Sequence, residues 1–140
     1  FISKQKASSY KEFMQDNTLL ITADTIVWAG GKQFGKPVDA DDAKRMLVEL
    51  SGNTHIVYTA VTILTKNIEK TFIASSEVKF ATLTNDEIDY YVKNFAPMDK
   101  AGAYGIQEWI GYVGVESING SYFNVMGLPI QRLYKELKEL

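Results

Sequence analysis

The run Leu19–Trp28 constrains the fold of this chain more than any other segment. It reads LLITADTIVW, and its apolar and β-branched residues predict a buried strand. Asp24 stands near the middle of that run, where an unpaired carboxylate would be costly. Two interpretations are open. Either Asp24 faces a cleft, where it binds a metal ion or takes a proton from water, or it is a structural residue satisfied by backbone donors.

Helix signals follow this strand along the chain. Asp39 is a candidate N-cap for a helix that stops near Gly52, and Thr84 begins a capping box for another. Residues 1–15 and a segment opened by Pro129 also read as helices.

Further strands are predicted in both halves of the chain. The last two are expected to form a hairpin through the Asn119-Gly120 turn signal. Strands and helices in this order predict one α/β domain built on a mixed sheet. The predicted strands after Trp28 are His55–Leu64, Thr71–Ala81, Trp109–Glu116 and Tyr122–Met126.

Composition limits the possible chemistry. The chain has no cysteine and one histidine, His55, which excludes disulfides, thiolate zinc sites and multi-histidine sites. His55 itself is predicted on a strand surface. Carboxylates, lysines and hydroxyls remain, and this set suits phosphate chemistry with a hard divalent cation. The net charge of -2 argues against nucleic-acid binding, and no apolar run approaches the length of a membrane span.

Lys36 is a candidate phosphate ligand. It stands in Gly35-Lys36-Pro37, where glycine permits close approach of a ligand and proline stiffens the loop. A solvated loop lysine is the alternative. Lys6 lies on the first predicted helix, where a solvated polar face is the usual place for a lysine.

The segment Met98–Gln107 reads MDKAGAYGIQ and is rich in glycine and alanine. Such a backbone allows a neighbour to come close, and Gln107 offers both a donor and an acceptor for the edge of a base. A flexible surface loop is the alternative.

Taken together, these segments resemble the Maf family of nucleotide pyrophosphatases. The matching stretches occur in the family's order over nearly the whole chain, and DKAGAYGIQ is the most specific of them. They are KQKA at Lys4–Ala7, ADT at Ala23–Thr25, GKP at Gly35–Pro37, LSG at Leu50–Gly52, TAV at Thr59–Val61, MDKAGAYGIQ at Met98–Gln107, ING at Ile118–Gly120 and MGLPI at Met126–Ile130.

The resemblance implies a Maf/ITPase-like fold, with a long mixed sheet flanked by helices and a cleft between two lobes. It implies hydrolysis of a nucleoside triphosphate between the α- and β-phosphates. The ADT and DKAGAYGIQ stretches resemble the subgroup acting on dTTP, UTP and some modified pyrimidine nucleotides. The alternatives are a Maf enzyme of the 7-methyl-GTP type or another substrate preference, a nucleotide-binding regulator of cell division without turnover, and a structural protein.

The resemblance also implies site residues. Asp24 matches the family's proton acceptor, although its role as base or as metal ligand stays open, and Mg²⁺ or Mn²⁺ is the expected cofactor. The metal ligands are not predicted. The expected substrate-binding residues are Lys6 and Lys36 beside the phosphates, Thr25 and Gln107 at positions linked to substrate choice, and Asp99 and Lys100 in the same run as Gln107.

The family's N-terminal S-x-S-P-R-R stretch, which carries phosphate-binding arginines, is absent. We therefore expect residues 1–140 to be a single Maf-like domain that lacks its N-terminal segment. The resemblance further implies a cytoplasmic protein that forms a homodimer. The net charge and the lack of a long apolar run predict no nucleic-acid or membrane partner.

Overall fold

The predicted strand around Asp24 is the second strand, in spatial order, of a five-stranded sheet in the computed structural model, which describes residues 2–140. The strands lie in the order β2-β1-β3-β4-β5, and every described pair is antiparallel. They are β1 (Leu20–Ala29), β2 (Lys32–Phe34), β3 (Thr54–Leu64), β4 (Glu69–Phe80) and β5 (Val115–Asn119).

The α/β class is confirmed, but the prediction of a mixed sheet is wrong for residues 2–140. Short connections explain the difference, because they reverse the chain and produce antiparallel pairs. Gly30 and Gly31 turn β1 into β2 with φ angles of 57° and 78°, and residues 65–68 turn β3 into β4.

Six α-helices surround this sheet in residues 2–140, and two short 3₁₀ turns, Lys11–Phe13 and Ala101–Ala103, accompany them. None of these helices combines the length and the apolar character that a membrane crossing needs. They are α1 (Ile2–Ser9), α2 (Ala40–Leu50), α3 (Asn85–Phe95), α4 (Trp109–Gly114), α5 (Tyr122–Met126) and α6 (Ile130–Lys138).

The two capped helices form as predicted. The Asp39 carboxylate accepts from the backbone N–H of Asp42 at 2.8 Å, which satisfies an orphan donor at the start of α2. Thr84 and Glu87 complete a reciprocal capping box at the start of α3. Both helices place their apolar faces in the larger core cluster, against β1, β3 and β4.

The predicted C-terminal hairpin is wrong. The segment predicted as strand Trp109–Glu116 is mostly α4, and Tyr122–Met126 is α5. Short apolar runs do not distinguish helix from strand by periodicity alone. Asn119-Gly120 ends β5, and the Ser121 hydroxyl then caps α5 by accepting from the Asn124 N–H at 3.1 Å.

The first helix is shorter than predicted. It ends at Ser9 rather than near Gln15, and Phe1 lies outside the described residues. α1 packs across β1 and β3, where Ala7 is fully buried and the Ser3 hydroxyl lies 2.8 Å from the Thr62 hydroxyl. This packing sets the position of Lys6.

The buried face of β3 contributes residues to two separate core clusters. Val57 belongs to the larger cluster, beside α2 and α3, whereas Val61 and Ile63 belong to a smaller one with Leu133 of α6. Thr59 lies between them on the same face and is fully buried. A polar position therefore divides an otherwise apolar surface at the centre of the sheet.

Candidate active site

An open cleft of about 260 Å³ lies along β1. β2 pairs only with residues 27–29 of β1, so the edge at residues 20–26 has no strand beside it within residues 2–140. Side chains from both faces of β1 therefore reach the cleft. Its other walls come from residues 99–107 and from residues 125–127, at the end of α5.

The structure brings all the predicted site residues to this one cleft. They come from α1, β1, the loop after β2, and the segment between α3 and α4, which are far apart in the sequence. Their roles stay predictions, but their convergence is a property of the fold. The predicted residues that line the cleft are Lys6, Asp24, Thr25, Lys36, Asp99, Lys100 and Gln107.

Asp24 is open to the cleft rather than enclosed in the core. Its side chain is 26% exposed, and its Oδ1 lies 3.7 Å from the Nζ of Lys6. Lys6 also donates to the backbone carbonyl of Ala23 at 3.1 Å. The apolar run thus tolerates the carboxylate because solvent and a lysine share its surroundings.

A second carboxylate and lysine line the cleft on the segment between α3 and α4. The Nζ of Lys100 lies 3.2 Å from Oδ1 of Asp99, and this hydrogen bond, with the charges of Lys100 and Lys36, lowers the pKa of Asp99. The stem of Lys100 crosses Gly105, where an added Cβ would come within 2.7 Å of the Lys100 Cε. The absence of a side chain at position 105 therefore gives the Lys100 stem room to lie along the cleft.

The segment Met98–Gln107 is not a flexible surface loop. Residues 102–106 are buried, and Gly102 adopts a φ of 70° directly against the side chain of Val27. The Gly102 N–H donates to the carbonyl of Gly35 at 3.1 Å. This bond joins the loop that carries Lys36 to the segment that carries Lys100 and Gln107.

His55 contradicts its prediction as a strand-surface residue. It is 1% exposed, and its Nε2 lies 2.6 Å from the Tyr104 hydroxyl in an edge-on aromatic cluster with Phe80. Burial lowers the pKa of His55 to about 4 and raises the pKa of Tyr104. The ring is therefore neutral at pH 7. The sequence did contain a signal for this burial, because residues at even spacing on a strand share one face and His55 therefore shares a face with Val57 and Val61.

Sequence reasoning also missed a polar network behind the cleft. Asn124 of α5 is fully buried, and its Nδ2 donates to the Val57 carbonyl at 3.2 Å and to Ser76 Oγ at 3.0 Å. Thr59 joins the Asn124 carbonyl to Thr25. The signal was hidden because Asn124 was assigned to a strand, where its helix-based contacts would not arise.

Comparison with known proteins gives one consistent result. A family model described as Maf-like protein matches residues 1–140. A protein of Bacteroides fragilis (strain YCH46) named dTTP/UTP pyrophosphatase is 59% identical over 140 residues, which are 100% of this chain and 72% of that protein. Proteins of the same name from Phocaeicola vulgatus and Christiangramia forsetii are 56% and 49% identical over 100% of this chain, and 72% and 71% of their own lengths.

Proposed function

Because the chain belongs to the Maf-like protein family, we propose that it is a nucleoside triphosphate pyrophosphatase that converts dTTP and UTP to monophosphate and pyrophosphate. The observation that carries the proposal is the convergence of Asp24 with three lysines, Lys6, Lys36 and Lys100, at one open cleft. The names of relatives that are 56–59% identical over the whole chain support the choice of substrate. The proposal includes some modified pyrimidine nucleotides as further substrates.

The lysines supply the electrostatic part of the reaction. Hydrolysis of a phosphoanhydride needs chiefly positioning and neutralisation of charge on the phosphate oxygens. Lys6 and Lys36 are exposed at the cleft and present point charges to those oxygens. Lys100 adds a third positive charge at the cleft, where the lack of a side chain at Gly105 leaves room for its stem.

Asp24 supplies the proton acceptor. Its carboxylate faces the cleft, and the ammonium of Lys6 lies 3.7 Å from its Oδ1. An ionised carboxylate that water can reach can orient the attacking water and remove its proton. The water oxygen bonds to the α-phosphorus while the bond to the bridging oxygen breaks, and pyrophosphate leaves. Asp24 then returns the proton to solvent, and because water attacks directly, no covalent nucleophile is needed.

A divalent cation, Mg²⁺ or Mn²⁺, is part of the proposal. In residues 2–140 no three His, Asp or Glu side chains form a ready-made metal site. Mg²⁺ is usually held by one or two carboxylates together with substrate phosphates, and Asp24 and Asp99, which both line the cleft, are the carboxylates that would hold it. When bound, the cation neutralises phosphate charge and makes bound water more acidic.

The nucleoside end of the substrate would meet Thr25 and Gln107. Both line the cleft, and Gln107 is exposed there with a donor and an acceptor. Tyr104 and Gly105 form buried surface beside them. These contacts would choose among nucleotides without entering the chemical step.

The decisive experiment replaces Asp24 by Asn in the full chain and measures pyrophosphate release from dTTP and UTP. Loss of a general base typically costs ~10²–10⁴-fold in turnover. Asp89→Asn is the matched control, because Asp89 also pairs with a lysine, Lys44 at 3.2 Å, but lies outside the cleft. Turnover by Asp24→Asn near that of Asp89→Asn would refute the role given to Asp24.

The substrate choice is tested separately with a panel of dTTP, UTP, CTP, GTP and 7-methyl-GTP. Preference for a purine nucleotide would move the protein to the other branch of the family. Binding of nucleotides without any pyrophosphate release would favour a non-catalytic regulator.

We further propose a cytoplasmic homodimer. The cytoplasm holds the nucleoside triphosphates that the enzyme would consume. Phe123, Ile130 and Tyr134 on α5 and α6 are each at least half exposed, and a subunit contact would cover apolar area of this kind. Light scattering of the purified protein measures the mass, and a monomer at micromolar concentration would contradict the dimer.

A further inference from the structure

Thr59 carries a buried hydroxyl that does not reach the cleft itself but contacts a residue that does. It is fully buried at the centre of β3, between the two core clusters. Its Oγ1 lies 2.9 Å from Oγ1 of Thr25 and 3.2 Å from the backbone carbonyl of Asn124. Thr25 lines the cleft, whereas Thr59 does not.

The direction of these two hydrogen bonds is fixed by chemistry. A carbonyl oxygen cannot donate, so the single hydroxyl hydrogen of Thr59 goes to Asn124. The bond between the two threonines must then use the hydrogen of Thr25. The Thr25 oxygen is left with lone pairs and no hydrogen for a ligand in the cleft.

The acceptor at Asn124 is held in place on several sides. Its side-chain amide donates to β3 and β4, through the Val57 carbonyl and Ser76 Oγ. Ser76 in turn donates to the carbonyl of Ser121 at 3.0 Å, just before α5. These hydrogen bonds hold α5 against β3 and β4, so the Asn124 carbonyl stays within reach of the Thr59 hydroxyl.

The approach to the Thr25 hydroxyl is also open. Gly127 has a φ of 121°, and a Cβ added there would lie 3.7 Å from Oγ1 of Thr25. A larger side chain at position 127 would cover the hydroxyl. The absence of one leaves room for a ligand atom beside it.

The geometry points to Thr59 as a positioning residue that makes the Thr25 hydroxyl a hydrogen-bond acceptor toward the cleft. The site therefore selects nucleotides that present a donor at this point, an inference that rests on the proposed function. Two groups of dTTP and UTP qualify: the imide N3–H of the base and a hydroxyl of the sugar. Cytosine carries an acceptor at N3, so CTP lacks the first group, and a 2′,3′-dideoxynucleotide lacks the second.

The test compares Thr59→Val, which keeps shape and removes the hydroxyl, with Thr59→Ser, which restores the hydroxyl. The kcat/KM ratios of UTP to CTP and of dTTP to 2′,3′-dideoxy-TTP are measured, with binding constants of the matching α,β-methylene analogues. In Thr59→Val the Thr25 hydrogen is released and can donate into the cleft. We expect one ratio to fall about two- to tenfold, the usual range for one hydrogen bond, and Thr59→Ser to recover it.

Thr62→Val is the control for a lost buried hydroxyl. Thr62 is also fully buried on β3, but its hydroxyl bonds to Ser3 and Thr71 instead of a residue in the cleft. Both ratios should stay at the wild-type value in this variant, whatever its stability. An equal fall in Thr62→Val would overturn the inference.

Each outcome has one meaning. A change confined to the UTP to CTP ratio assigns the donor to the base, and a change confined to the dideoxy ratio assigns it to the sugar. Wild-type hydrolysis with both ratios unchanged in Thr59→Val overturns this inference alone. Discriminating binding by the wild type without pyrophosphate release overturns the proposed function alone, and no nucleotide binding at all overturns both.

Discussion

The cleft is built from two regions that differ in charge and burial. Its rim consists of the charged side chains Lys6, Asp24, Lys36, Asp99 and Lys100, of which Lys6 is 50% and Asp99 76% exposed. Its floor consists of Val27, Val57, Tyr104 and Gly105, which are buried and neutral.

Because of this difference, we expect the rim to act mainly in substrate binding and catalysis and the floor mainly in stability. Ion pairs on the rim are exposed to solvent, and exposed pairs contribute only ~0–1 kcal/mol to stability. The positions of the charged groups on the rim can therefore suit phosphate binding without a large effect on stability. The floor is held by close packing and by hydrogen bonds inside the protein, so changes there act first on stability. Substitutions in each region test this division.

The largest expected effect lies on the rim. Replacing Lys36 by Gln removes a positive charge from the cleft, and loss of one group that stabilises transition-state charge typically lowers kcat ~10²–10³-fold. The urea midpoint should stay at the wild-type value because Lys36 is exposed. Pyrophosphate release and urea unfolding measure the two quantities.

Lys32→Gln is the control for this prediction. Lys32 lies on β2 close to Lys36 in the sequence, but it pairs with Glu49 on another surface, with Nζ 3.0 Å from Oε2. Its loss should leave kcat unchanged. A large fall in stability for Lys36→Gln would show that the rim is part of the structural core after all.

The next effect lies behind the floor, at His55. Burial lowers the pKa of His55 from 6.5 to about 4. At mildly acidic pH the unfolded chain therefore binds a proton at His55, whereas the folded chain does not. The contribution to stability is complete above the unfolded pKa and is lost as pH falls toward the folded pKa. Between about pH 7.5 and about pH 5 the loss should be ~2 kcal/mol.

Urea unfolding at the two pH values measures this loss, and His55→Asn tests its origin. Tyr104 and Phe80 are the neighbours of the ring, and neither is ionised in this range. The carboxylates with lowered pKa, such as Asp99 and Glu136, titrate in the folded protein below the window. An equal pH dependence in His55→Asn would be inconsistent with His55 as the source.

Local chemistry decided which parts of the fold the sequence could predict. The helix caps at Asp39 and Thr84 satisfy backbone donors within one turn, so their residues identify them without tertiary information. The period-two rows of β3 and the apolar run of β1 carry comparable signals. Trp109–Gly114 and α5 depend on packing against distant elements, and both were mistaken for strands.

The candidate site divides in the same way. Charged residues in apolar or glycine-rich surroundings, such as Asp24 and Lys36, were visible because they conflict with their local context. Thr59 and Asn124 were not, because each is an ordinary polar residue until the sheet and α5 bring them together. The cleft residues could thus be predicted from sequence, but the network that orients them required the fold.

The last effect is expected at Gly102, which packs against the floor residue Val27. Its φ of 70° lies in the left-handed region, which costs an alanine about 1–2 kcal/mol. An added Cβ would also lie 2.9 Å from Cγ2 of Val27, so Val27 must shift as well. Gly102→Ala should therefore lower the free energy of unfolding measured in urea.

Gly35 provides the matched control, since its carbonyl accepts from the Gly102 N–H, its φ is not positive, and no atom lies within 4 Å of an added Cβ. Gly35→Ala should not destabilise the protein, because alanine at a compatible position restricts mainly the unfolded chain. Equal urea midpoints for the two alanine variants would mean that the contact between Gly102 and Val27 does not hold residues 99–107 against β1. In that case stability would not distinguish the floor from the rim.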